Sequence, residues 1–229
     1  MDRQADHGMD ALPQLLKRIG GCRLCVESPR GRPLPHEPRP VLRASVTARL
    51  CVSSQAPGTR VHATGLPFND PSGDRLRSWM AVDRDTFYDA SRVAIVPMGF
   101  CFPGLDAKGG DLPPRPECRA TWHDQVYATL PNLRFLLAIG GYAHRYHLGS
   151  EAAGGVTETV RRWREFIAEP IGPSGARVLP LPHPSWRNTG WLKRNPWFED
   201  EVIPVLRAEV AAAIATGMPL SNETDDRRE

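Results

Sequence analysis

The sequence predicts an α/β fold, three α/β/α layers built around a four-stranded parallel sheet. Four short apolar runs carry this reading: residues 48–53, 92–96, 133–139 and 177–181, each punctuated by Gly or Pro and each the length of a buried strand. Helical patterns fill the gaps between them. Strands that alternate with helices in this way form parallel sheets covered on both faces, with right-handed crossovers.

In chain order, residues 11–19 have the apolar spacing of a short amphipathic helix, which Gly20-Gly21 stops. A proline-rich stretch over 28–40 is expected to be ordered only by wrapping on the domain. The first strand holds Leu50-Cys51-Val52. Helical patterns then occupy 72–80 and, beyond the second strand, 115–130. The third strand leads into patterns at 141–148 and 156–167. A last helix over 197–215 places Ile203, Leu206, Val210 and Ala213 on one face. One domain is expected over 9–215. Residues 216–229, which end in SNETDDRRE, have nothing to bury and read as a disordered tail.

Length and composition narrow the classes. A chain of 229 residues suits one sizeable domain, and 41% hydrophobic with 24% charged residues suits a folded globule. No run approaches the ~18 apolar residues of a membrane helix. The first residues lack the apolar core of a signal peptide, so a cytoplasmic protein with no membrane partner is expected. A net charge of +3 does not by itself imply a nucleic-acid partner. However, 26 of the 29 cations are Arg, the side chain suited to bidentate phosphate contacts, although genomic base composition produces the same bias. The five cysteines are not expected to form disulfides in that compartment. Cys51 reads as a buried strand residue, Cys22 and Cys25 form a Cys-x2-Cys pair, and sixteen residues separate Cys101 from Cys118.

Ligands of such sheets bind outside the carboxyl ends of the strands, so the loops there are the candidates for chemistry. Each loop also has an ordinary reading. Pro57-Gly58 makes a tight turn, Phe68 a core aromatic, and Asp70 or Ser72 an N-cap. His183 could be a structural hydrogen-bonder, yet it follows the last strand and sits between Pro182 and Pro184. Beyond it, residues 186–197 interleave tryptophans with Arg187, Lys193 and Arg194, a pattern that can stack on bases and meet phosphates. Trp197 reads as packing for the final helix. Gly140-Gly141 opens a helix whose free N–H groups can take a phosphate.

Taken together, Gln55-Ala56-Pro57-Gly58 after a strand, Gly65-Leu66-Pro67-Phe68 ten residues on, and His183-Pro184-Ser185 after the last strand resemble the uracil-DNA glycosylase superfamily. The iron–sulfur branch is the most similar, because Cys22, Cys25, Cys101 and Cys118 fall where that branch has its four cysteines. The resemblance spans about residues 15–206. It implies a 4Fe–4S cluster on those four thiolates, chiefly structural, although the same ligand set would also accept zinc. It further implies that Phe68 stacks on a flipped base and that His183 donates to the base as negative charge builds. Ala56 and Gly99 would then sit at the base. Pro57, Gly58, Arg60, Gly141, Ser185, Arg187, Asn188, Lys193 and Arg194 would face DNA.

The chain also departs from the family. Gln55 stands where iron–sulfur members have Glu, and an amide cannot act as a general base, although it can position a water. No Asn occurs in Val96-Pro97-Met98-Gly99-Phe100, which leaves backbone groups or Asn69 to read the base. His62 is the nearby titratable group expected to orient a water. The resemblance thus implies a monomeric DNA glycosylase of base-excision repair, acting on uracil or a related deaminated base with no metal in the chemical step. Two alternatives are a non-catalytic binder of damaged or single-stranded DNA, and a same-fold enzyme that traps abasic DNA covalently through His62.

Overall fold

The computed structural model describes residues 6–215, with side chains described from Ala11 onward, so the expected tail lies outside the described residues. In chain order the elements are α1 (Asp6–Gly20), α2 (Leu24–Glu27), β1 (Leu50–Ser53), α3 (Thr59–Thr64), α4 (Pro71–Met80), α5 (Arg84–Tyr88) and β2 (Val93–Ile95). There follow α6 (Pro116–Ala128), β3 (Phe135–Ile139), α7 (Gly140–Leu148), α8 (Gly155–Arg161), α9 (Trp163–Ala168), β4 (Arg177–Leu181), α10 (Thr189–Arg194) and α11 (Ile203–Ala215).

The four strands form one parallel sheet, as the sequence predicts, and their order is β2-β1-β3-β4. Val52 lies opposite Ile95 on one side and Leu137 on the other, and Leu137 opposite Leu179. Alternate strand residues feed two cores. On one face Cys51, Ala94, Leu136 and Val178 pack with Ile19 of α1, Trp122 of α6 and Leu148 of α7. On the other, Val52, Ile95, Leu137 and Leu179 meet Leu76 of α4 and Leu206 of α11. A sheet buried on both faces explains why its strands read as continuous apolar runs. From β1 the chain crosses first to β2 and later to β3, on the opposite side. That reversal opens a crevice at the carboxyl edge of the sheet.

Several boundaries differ from the sequence reading. The pattern over 156–167 breaks at Arg162 into α8 and α9. The last helix begins at Trp197 as expected but passes through a π turn, Phe198–Val202, before α11. The short helices α2, α3, α5 and α10 were not expected, because four to six residues are too few for an apolar period to show. The proline-rich stretch wraps the domain: Leu34 N–H donates to the Cys25 carbonyl, and Val41 N–H to that of Phe100.

Candidate active site

The segments after β1, β2 and β4 enclose a cleft of about 580 Å³, within the range of small-ligand sites, lined among others by Gln55, Phe68, Asp70, Asp111, His183 and Arg187. A neighbouring recess of about 430 Å³ shares Gln55, His183 and Asn188 and reaches Gly140, Gly141 and Arg145.

Phe68 is held by its backbone. Its φ is +54°, a left-handed conformation that costs a bulky residue energy and persists only where the surroundings enforce it. Tyr88 Oη donates to the Pro67 carbonyl at 2.8 Å, and Arg77 Nη1 to that of Phe68 at 3.3 Å. The buried Arg77 guanidinium also lies over the rings of Phe87 and Tyr88. Asp70 caps α4, its Oδ1 accepting from Gly73 N–H at 2.9 Å. Gly73 is essential to this packing: a Cβ there would lie 2.6 Å from the Phe68 carbonyl carbon and closer still to its oxygen. Phe68 is thereby fixed at the cleft wall, with its ring edge-on to Phe87.

The proline-framed turn after β4 fixes His183. Ser185 N–H donates to His183 Nδ1 at 3.2 Å, which places the ring proton on Nε2. Asn188 Nδ2 donates to the His183 carbonyl at 2.7 Å, and Arg75 of α4 donates to that of Ser185 at 3.1 Å. The last arm joins this loop to the helix that carries Phe68's backbone clamp. Burial lowers the His183 pKa below that of a free imidazole, and the charge of Asp70 only partly offsets it. The ring is therefore neutral near pH 7, with an Nε2–H that has no hydrogen-bond partner among the described residues.

Gln55 sits between the two recesses, and its Nε2 donates to the Leu112 carbonyl at 3.4 Å. Gly99 N–H donates to the Gln55 carbonyl at 3.0 Å, and Met98 N–H to that of Ser54 at 2.7 Å, so the loop after β2 braces the loop after β1.

Beneath these loops lie three buried histidines that sequence reasoning did not single out. His123 Nε2–H donates to the Pro97 carbonyl at 2.9 Å. His144 Nε2–H is shared between the carbonyls of Ala138 and Leu181. His147 Nε2 lies 3.1 Å from Ser53 Oγ and 3.2 Å from Tyr127 Oη. Each thus ties the carboxyl end of a strand to a helix. Burial lowers their pKa values to about 4, 4 and 3, so all three are neutral.

Of the residues expected at the site, Gln55, Ala56, Pro57, Gly58, Phe68, His183, Ser185, Arg187 and Asn188 line the main cleft, and Gly141 lines the adjoining recess. Others stand elsewhere. Val61 of α3 lines the cleft, whereas His62 packs its ring against His36, with centroids 4.2 Å apart, and against Phe102. Asn69 accepts from Arg84 outside the cleft. Gly99 lines the cysteine cavity instead, packed so closely that a Cβ there would meet Pro114 at 3.2 Å and Ala56 at 3.4 Å. Arg60, Lys193 and Arg194 are exposed but do not line the cleft. Asp70 and Asp111 do line it and were not expected there.

Cys22, Cys25, Cys101 and Cys118 line one small cavity walled by Leu24, Pro40, Phe100 and Trp122. Phe100 N–H donates to Cys118 Sγ at 3.3 Å, and Trp122 Nε1–H to Cys22 Sγ at 3.4 Å. Burial raises the pKa of Cys25, that of Cys101 to about 12, and that of Cys118 further. Such thiols are ionised only by a bound cation, and N–H groups aimed at sulfur suit a thiolate-ligated centre. The donor set therefore fits a cluster or a metal, although no three His, Cys, Asp or Glu among the described residues are arranged to hold a single ion as they stand.

At the carboxyl edge of the parallel sheet, an aromatic wall from Phe68 thus shares one cleft with the neutral imidazole of His183. The comparison with protein families is in accord: the model of the uracil DNA glycosylase superfamily matches residues 43–207, well over half the chain. The chain belongs to that superfamily. Membership supports a glycosylase-like enzyme acting on DNA. No helix among the described residues is long and apolar enough to cross a membrane.

Proposed function

We propose that this chain excises uracil or a related deaminated base from DNA in base-excision repair, as a cytoplasmic monomer folded as one domain over residues 9–215. The observation that supports this most is the neutral His183 in the same cleft as Phe68. The extruded base stacks on Phe68 while its C1′–N bond breaks, and the bonding electron pair leaves with the base. His183 Nε2–H donates to the oxygen on which that charge collects, an interaction made mainly in the transition state. DNA phosphates stabilise the cationic sugar, and Gln55 positions the water. The iron–sulfur branch is the best reading of the cysteines. Cys22, Cys25, Cys101 and Cys118 would hold a 4Fe–4S cluster, which supplies a staple between the N-terminal arm and the loop after β2.

The amide at Gln55 favours a second reading, a binder of damaged or single-stranded DNA without catalysis. Incubation of excess protein with oligonucleotides carrying uracil, xanthine, hypoxanthine or hydroxymethyluracil, followed by alkaline cleavage, separates the two. Strand scission at one or more of these bases is expected. Tight binding with no scission on any of them would leave the non-catalytic reading standing, and a slow-migrating protein–DNA band on a denaturing gel would indicate a covalent trap instead.

A further inference from the structure

We propose that Asp111 supplies the carboxylate that Gln55 lacks, taking the proton from the water that attacks the sugar; this rests on the glycosylase reading above. Asp111 reaches the cleft from a hairpin that follows the cysteine-bearing loop. Leu105 pairs with Asp111 as an antiparallel bridge, and Leu112 N–H donates to the Gly104 carbonyl at 2.9 Å. Gly104 and Gly109 supply the positive φ angles that the reversal needs. The hairpin's other carboxylate, Asp106, is committed to the turn, accepting from Lys108 N–H at 2.7 Å and Gly110 N–H at 2.8 Å. Asp70, which also lines the cleft, uses its Oδ1 to cap α4. The Asp111 carboxylate has no hydrogen bond among the described residues. It stands over the Pro57-Gly58 turn, with Oδ2 3.5 Å from where a Gly58 Cβ would be. Gln55 holds the hairpin in place through the Leu112 carbonyl, one residue beyond Asp111. The amide thus anchors the segment that delivers the carboxylate.

An acid at the rim of a groove for a polyanion opposes binding, which makes a chemical role the natural account of its place. Its basicity suits that role. Asp111 is exposed at the cleft rim, yet partial desolvation there raises its pKa against the opposing charge of Arg187, and the charges of Asp70 and Asp106 add to the rise. In the step proposed, the C1′–N bond breaks with its electron pair on the base, and the water oxygen bonds to C1′. The water's proton passes to Asp111, which returns it to solvent, and the base anion leaves His183 and takes up a proton from solvent.

The test is single-turnover release of uracil from an oligonucleotide, with binding measured in parallel by fluorescence anisotropy. Asp111→Asn should lower the rate by about a hundredfold or more, the usual contribution of a general base. It should bind the oligonucleotide as tightly as wild type or more tightly. Adding Gln55→Glu to Asp111→Asn should recover at least about tenfold, which a merely structural role would not produce. An active wild type with Asp111→Asn within about threefold of it refutes the assignment of Asp111 alone. A wild type that releases no base from any substrate refutes the glycosylase reading beneath it.

Discussion

Substituting Gly73 by Ala perturbs the device that holds Phe68 without touching the cleft itself. The new Cβ would lie 2.6 Å from the Phe68 carbonyl carbon and 2.9 Å from its Cβ, and it would overlap the carbonyl oxygen. Cβ atoms do not come within 3.0 Å of such neighbours. The obstacle is backbone rather than a flexible side-chain end, so the first turn of α4 and the Phe68 peptide must part. Phe68 is already at a φ of +54° and clamped by Arg77 and Tyr88, which leaves little room to yield elsewhere. A displacement of about 1 Å at a positioning group costs on the order of a hundredfold in rate. Disrupting a strained, buried turn should also cost roughly 2–4 kcal/mol of stability. Single-turnover excision and urea unfolding measure the two effects separately. A Gly73→Ala protein with wild-type rate and wild-type midpoint would refute the claim that this contact sets the position of Phe68.

Other consequences are equally measurable. His123, His144 and His147 are neutral when folded, with pKa values depressed to about 4, 4 and 3, whereas the unfolded chain protonates them near pH 6.5. Their contribution is therefore intact above about pH 6.5 and lost as pH falls towards 4, at up to ~4 kcal/mol per pH unit for three protons taken up on unfolding; a stability profile flat from pH 7 to about 4 would contradict this. DNA binding should weaken steeply with salt, and replacing Arg187, Lys193 and Arg194 together by Ala should reduce the log–log slope by about one unit for each phosphate no longer neutralised. An unchanged slope would make this segment packing only. Purified protein should be brown with broad absorbance near ~400 nm from thiolate–iron charge transfer, and Cys101→Ala should lose the colour and much of the stability. Colourless protein with stoichiometric zinc would keep the site but change its metal.

The sheet and its loops were readable because strands buried on both faces leave short apolar runs, here closed by Pro57, Pro97, Gly140 and Pro182. That Phe68 and His183 reach the cleft was readable from motif and position. What fixes them was not. Gly73 reads as an ordinary residue after an N-cap, although a glycine in the first turn of a helix was the available signal of a close backbone approach. The histidines of α6 and α7 lie among Tyr and Arg and give no apolar period. Only the fold shows that each reaches a strand end. Asp111 follows Gly109-Gly110 and reads as turn chemistry. Its arrival at the cleft depends on a hairpin pairing that local sequence does not specify. The direction of His62 was hidden for a related reason: α3 is a short helix, and its turn presents Val61 to the cleft and sends His62 to His36.

In the proposed mechanism a neutral His183 stabilises a departing base anion. Single-turnover excision rates for wild type, His183→Ala and Gln55→Ala on one uracil oligonucleotide test it most directly. Loss of a donor that acts in the transition state costs about 3–4 kcal/mol, so His183→Ala should be slower by roughly a hundredfold to a thousandfold. Gln55→Ala, which removes the amide proposed to position the water and the contact to the Leu112 carbonyl, should lose markedly less. A His183→Ala protein that retains near wild-type rate while Gln55→Ala is inert would contradict the account, since the anion would then be stabilised elsewhere and the loop after β4 would serve only to hold DNA.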